Sequence, residues 1–242
     1  MEEKYIVKAG NKTWWSLIAT VILLILIIKS VFRNSSLETI RIFMICFSAF
    51  NLIYLFIYKK SLGKVKGYNY NWANELPFYL CNVGSIVSLF ASLTLNPVLM
   101  AFCFVEGTFG ALLAYLMPDG GFERVSFFSI MGLGFYGYHG LLMVINMLYV
   151  VLGLYVPSFA ELLPMLLLNS LILLLVHFIN ITLRKTIHPK ANYIYTVEAT
   201  NFILKKFYNL FPVKCLYLFL TYPLVVVLYA ALVFAYRLLA GI

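Results

Sequence analysis

Apolar residues run in long blocks along this chain, separated by short polar punctuation rather than by regular alternation. A hydrocarbon core takes roughly 20 apolar residues per helix. Seven blocks meet that length: residues 14–32, 38–58, 76–95, 97–117, 126–152, 159–183 and 213–239. The punctuation suits helix ends. In LTLNPVL, Asn96 and Pro97 stop one helix and start the next. MPDGGFER is a turn-rich loop between the fourth and fifth blocks. In NELPFYLCNVGS, Pro77 fits a first helical turn and Glu75 the positive end of a helix, which places Cys81 one turn inside. The pattern predicts an all-α polytopic membrane protein: a single domain over residues 1–242, built as a bundle of seven transmembrane helices. Lys4, Lys8 and Lys12 precede the first block. No small-residue cleavage site follows it, so a retained helix is expected, with Trp14 and Trp15 as an interface belt.

Composition agrees. Of 242 residues, 63% are hydrophobic and 11% charged, against about a quarter charged in a soluble domain. The net charge of +9 sits in the loops between blocks, which suits anionic lipid head groups and not nucleic acid. With seven spans, fourteen basic residues (Lys59, Lys60, Lys64, Lys66, Arg124, Arg184 and Lys185 among them) fall on the N-terminal side, and four (Lys29, Arg33, Arg41, Arg237) on the other. By the positive-inside rule the N-terminus is cytoplasmic and the C-terminus outside. Within the long loop 185–212, Phe202, Ile203, Phe207 and Leu210 stand against Glu198, Lys205, Lys206 and Asn209, the pattern of an amphipathic helix in the cytoplasmic interface. Cys46, Cys81, Cys103 and Cys215 lie in apolar runs without a CxxC pair, so neither a disulfide framework nor a metal site is expected.

Polar groups at membrane depth usually face a cavity or a partner. Cys81, Ser85, Ser88 and Ser92 form one stripe on the third block, and for the serines alone close helix packing explains it. Glu106 lies near the middle of the fourth block beside Gly107 and Gly110. On the fifth, Gly132, Tyr136, His139, Met143 and Asn146 share a face, and nearby glycines thin the helix for a neighbouring helix or lipid chain. On the sixth, Asn169, Leu173, His177, Asn180 and Arg184 do the same.

A thiol with an imidazole on another helix is the equipment of a Cys–His acyl transferase. The imidazole takes the thiol proton, and the thiolate attacks an ester carbonyl and holds the acyl group as a thioester. The imidazole then deprotonates the acceptor. Asn82, Asn146 or Tyr136 would orient the imidazole or stabilise the oxyanion. By position either His139 or His177 can serve. A hydrolase with water as acceptor is a close variant. A transporter or proton-coupled channel using Glu106, His139 and His177 is the alternative from another class, and a lipid-binding protein with a structural Cys81 is a third.

ELPFYLCNV, GTFGALLAYLMP, GYHGLLM and NYIYT together resemble the signatures of the YwaF-type bacterial membrane proteins, the family that includes transmembrane protein 164. The resemblance implies a multi-pass cell-membrane protein, bacterial in origin, that moves an acyl chain between phospholipids as donor and acceptor. Carried over by motif, the nucleophile falls on Cys81 and the essential His on His139; Glu106, His177 and Asn180 remain supporting candidates. No cofactor is implied. Phe78 and Tyr79 stand where many bacterial members carry a His just before the Leu-Cys pair.

Overall fold

The computed structural model describes residues 5–118 and 120–241. Lys4 of the basic N-terminal group and Asp119 of the MPDGGFER loop lie outside the described residues. The architecture is all-helical apart from two two-residue strands, β1 (Ile6–Val7) and β2 (Val125–Ser126), which pair antiparallel. The helices are α1 (Lys12–Val31), α2 (Leu37–Lys64), α3 (Leu80–Thr94), α4 (Pro97–Leu116), α5 (Ile130–Val151), α6 (Phe159–Thr186), α7 (Phe202–Leu210) and α8 (Leu216–Ala240). Among the described residues, six of them are long and apolar enough to cross a membrane: α1, α2, α4, α5, α6 and α8. Helix α3 has 15 residues. At 1.5 Å per residue that is about 22 Å, short of a hydrocarbon core of about 30 Å.

The local signals at most helix ends act as the sequence implies. Asn11 and Ser36 cap α1 and α2 through their side chains. Asn96 Oδ1 accepts the Val98 and Leu99 N–H groups, with Pro97 as the first residue of α4. The third block differs: its helix opens at Leu80, four residues after the expected start. Phe78 N–H bonds the Leu76 carbonyl at 2.8 Å in a turn. The Phe78 and Tyr79 rings meet Tyr193 edge-on at 5.5 and 5.1 Å. Burying aromatic rings there holds residues 72–79 in turns, so Pro77 precedes the helix and Cys81 is its second residue.

The chain divides into two compact units. The first runs up to Asn71 and continues over Cys81–Val156, so it holds α1 to α5. Its side-chain contacts fix the helix directions. Asn51 and Ser48 of α2 meet Ser85 and Ser92 of α3 in opposite order, so the two run antiparallel. Gly84 and Ser88 of α3 meet Gly107 and Cys103 of α4, again antiparallel. Ser85, Ser88 and Ser92 meet Tyr138, Asn146 and Tyr149 of α5 in the same order, so α3 and α5 are parallel. Trp14 at the start of α1 donates its indole N–H to the Tyr115 carbonyl at the end of α4, 2.8 Å away. Trp14 is therefore buried, unlike the exposed Trp15; of the expected belt pair, only Trp15 faces outward.

The second unit comprises Trp72–Leu80 and the chain from Pro157 on. Here α6 and α8 run antiparallel, tied by Tyr229 to the Ser158 carbonyl at 2.7 Å and by Ser170 to Tyr222 at 2.8 Å. Between them lies α7, capped by Asn201, whose Phe202 and Leu210 are 70% and 75% exposed. A helix forms at these residues, with Lys206 Nζ 4.3 Å from the centre of the Phe202 ring.

Candidate functional site

The site is built in the first unit where the opening turn of α3 meets α5. Cys81 is half-buried, and its Sγ lies 3.7 Å from Asn82 Oδ1. Asn82 is buried, and its Nδ2 has no hydrogen-bond acceptor. A buried amide without a partner costs about 1–3 kcal/mol, so its retention beside a thiol calls for a reason. Tyr138 of α5 holds the turn: its hydroxyl donates to the Cys81 carbonyl at 2.8 Å and bonds Ser85 Oγ at 2.8 Å.

His139 follows Tyr138 and is buried. Its Nδ1 is 2.7 Å from the Phe135 carbonyl, which can only accept. The ring proton therefore sits on Nδ1, and Nε2 carries the lone pair. Two rings pack against the imidazole, Phe135 at 4.5 Å and Tyr138 at 4.8 Å between centroids. The turn before it, Leu133–Gly137, is π-helical. A second π-turn, Cys103–Gly107, carries Glu106 on α4. Such bulges reset helix phase locally and concentrate at functional sites.

The glycines of GLGFYGYHG admit close approach by neighbouring protein groups. A Cβ at Gly134 would stand 1.8 Å from the Tyr58 ring, one at Gly137 2.8 Å from the Tyr54 hydroxyl, and one at Gly140 2.7 Å from that of Tyr115. Tyrosines from α2 and α4 thus fill the thinned face of α5. Gly107 likewise admits Asn146, whose Nδ2 would lie 2.4 Å from an added Cβ. Asn146 Oδ1 accepts from Ser88 at 2.8 Å, while its Nδ2 has no acceptor.

Other candidates have structural duties. Tyr136 is fully buried; its hydroxyl reaches the Phe122 carbonyl at 3.3 Å and its ring meets Tyr115 edge-on. In the second unit, Asn180 Nδ2 donates to the Tyr193 carbonyl at 2.9 Å and to Thr196 Oγ1 at 2.8 Å, and its Oδ1 accepts the Tyr193 N–H at 2.9 Å. His177 Nδ1 bonds Thr196 Oγ1 at 3.2 Å. These two residues secure the NYIYT turn, in which Ile194 and Tyr195 take left-handed backbone angles. Cys81, Asn82, Glu106, Tyr136, His139 and Asn146 all belong to the first unit, His177 and Asn180 to the second.

Sequence reading missed Tyr138 and the serines' partners. The stripe is a polar ladder and more than a smooth packing face: Ser85 to Tyr138, Ser88 to Asn146 and Ser92 to Tyr149 at 2.8 Å each, with Asn51 and Ser48 joining from α2. The signal was present in matched helical spacing on the third and fifth blocks, but spacing does not say which helix faces which.

Among the described residues, no group of three or more His, Cys, Asp and Glu is arranged to hold a metal ion. No curated protein and no solved structure matches the chain. A model of the TMEM164 family matches residues 9–237, nearly the whole length, and with its apolar spanning helices the chain belongs to the TMEM164 family of membrane proteins.

Proposed function

We propose that the protein is a membrane-embedded acyltransferase with Cys81 as nucleophile and His139 as general base. One observation carries the reading: the Cys81 thiol adjoins Asn82, a buried amide whose Nδ2 hydrogens have no acceptor. A donor of that kind suits the oxyanion of a tetrahedral intermediate. The fixed tautomer of His139 supports it, because Nε2 is the basic atom.

In the first half-reaction the Cys81 proton passes to His139 Nε2 and Sγ attacks a phospholipid ester carbonyl. The C–O bond breaks, the leaving lysophospholipid oxygen takes the proton from Nε2, and the acyl group remains as a Cys81 thioester. In the second half, the acceptor hydroxyl gives its proton to Nε2 and attacks the thioester. The C–S bond breaks, and the thiolate recovers the proton. Phospholipids serve as donor and acceptor; water as acceptor gives hydrolysis. Neither metal nor cofactor takes part.

We further propose that α3 counts as a seventh crossing in a single membrane domain. The alternating directions of α2, α3, α4 and α5 support this. With seven crossings the charge distribution sets the N-terminus in the cytoplasm and the C-terminus outside, in a bacterial cell membrane.

Intact-protein mass spectrometry of wild type and Cys81→Ala after incubation with mixed phospholipids tests the mechanism. A hydroxylamine-sensitive acyl adduct on wild type alone is expected, accumulating when acceptor is withheld and falling when it is restored. Equal lipid turnover by wild type, Cys81→Ala and His139→Ala would overturn it. Proton-coupled transport that survives Cys81→Ser would favour the channel reading.

A further inference from the structure

At the opposite end of the first unit from Cys81, the turn between α1 and α2 and the end of α5 line a half-open pocket of about 520 Å³. Its location follows from the helix register, since Arg41 in the first turns of α2 donates to the Leu93 carbonyl at the last turn of α3. Cys81, at the first turn of α3, is therefore about 20 Å away along the helix axis. The lining has two chemical characters. Leu26, Phe32 and Ile40 supply apolar surface, and Lys29 and Arg33 supply cations.

Among the described residues, no carboxylate lies within salt-bridge distance of Lys29 or Arg33; Glu38, in the first turn of α2, pairs with Arg41 at 3.7 Å and is 68% exposed. The α2 N-terminus, opening at Leu37 on the pocket wall, adds its positive pole. Lys29 lies in the last turn of a helix long enough to span a membrane, and the ends of such helices reach the lipid head groups.

We infer that this pocket binds an anionic glycerophospholipid, its phosphodiester between Lys29 and Arg33 and the start of an acyl chain against Leu26, Phe32 and Ile40. Pockets of this size suit small amphiphiles. A guanidinium binds a phosphate through two parallel N–H bonds, and an ammonium adds a point charge. A zwitterionic lipid would bring its own cation against Lys29 and Arg33, so charge selects phosphatidylglycerol-type over choline-type heads. The site is independent of any thioester at Cys81.

The test uses the purified full-length protein, delipidated in neutral detergent and titrated with dioctanoyl phosphatidylglycerol or dioctanoyl phosphatidylcholine under native mass spectrometry. Wild type is expected to hold phosphatidylglycerol selectively. Lys29→Ala/Arg33→Ala should weaken that binding by about thirtyfold, from roughly one basic contact's worth per residue at a membrane surface, and leave phosphatidylcholine unchanged. Lys29→Arg/Arg33→Lys, which preserves charge, should recover most of it and shows that the loss is not misfolding. Equal binding of both lipids by wild type overturns the inference. So does undiminished binding by the double alanine variant, or loss of binding in Lys205→Ala/Lys206→Ala instead, which would assign the lipid to α7. Displacement by millimolar inorganic phosphate would identify a free-phosphate site and overturn the lipid assignment.

Discussion

Replacing Tyr138 by Phe removes one oxygen and leaves the ring in place. That oxygen makes two bonds, to the Cys81 carbonyl and to Ser85 Oγ, each 2.8 Å. The magnitude depends on what is left behind. Ser85 Oγ keeps Asn51 Nδ2 at 3.2 Å, and the Cys81 carbonyl keeps its place in the α3 backbone ladder. Neither group is orphaned, so the full penalty of about 1–3 kcal/mol for an unsatisfied buried group does not apply. Side-chain hydrogen bonds within membrane helices average about 0.6 kcal/mol each, so two come to about 1.2 kcal/mol. For a chain of this size that lowers the melting temperature by about 2–5 °C. Because both bonds bear on the first turn of α3, local opening should rise by the same free energy, and N-ethylmaleimide should label Cys81 about sevenfold faster. The assay is labelling followed by intact mass, beside a thermal melt in the same detergent. A melting temperature within about a degree of wild type, together with an unchanged labelling rate, would refute the claim that Tyr138 holds the candidate nucleophile in position.

Three other outcomes follow from named contacts. Gly134→Ala drives a Cβ to within 1.8 Å of the Tyr58 ring and should cost about 1–3 kcal/mol as overpacking; adding Tyr58→Ala should recover part of the melting temperature, and no recovery would argue against this contact. Asn180→Ala removes three bonds to the NYIYT turn and leaves a buried N–H unmatched at about 1–3 kcal/mol, so limited proteolysis should cut near Ile194 before the helices melt. Arg184, bonded to Glu198 at 2.7 Å, holds that carboxyl below its usual range. The stabilisation is therefore present above the unfolded carboxylate value of about 4.3 and fades as pH falls through the lower folded value. Being surface-exposed it is small and salt-sensitive, and the melting difference between wild type and Glu198→Gln should shrink toward zero on acidification below about pH 4 and in high salt.

Much of the fold was legible because membrane spans are written as length and hydropathy, and because caps such as Asn96 with Pro97 act within a few residues. The amphipathic helix Phe202–Leu210 was legible for the same reason. The start of α3 was not. A Pro in a first helical turn and a Pro in a preceding turn read alike, and the choice is made by Tyr193, more than a hundred residues away. The glycines of the fifth block signalled close approach, but not that tyrosines would supply it. Cys81 and His139 stood out as chemistry. Tyr138, which connects α5 to the turn carrying Cys81, is an ordinary aromatic until the facing helix is known.

The strap from Trp72 to Leu80 belongs with the C-terminal unit, while Cys81 begins the other half of the first. This imposes an order on biogenesis. When Cys81 has emerged from the ribosome, Phe78 and Tyr79 still lack Tyr193, which is 112 residues beyond it. At about 5–20 residues per second that interval lasts on the order of ten seconds. A chain arrested in translation within it would carry an unfastened strap, so the order of residues 72–79 waits for the last third of the polypeptide to be made.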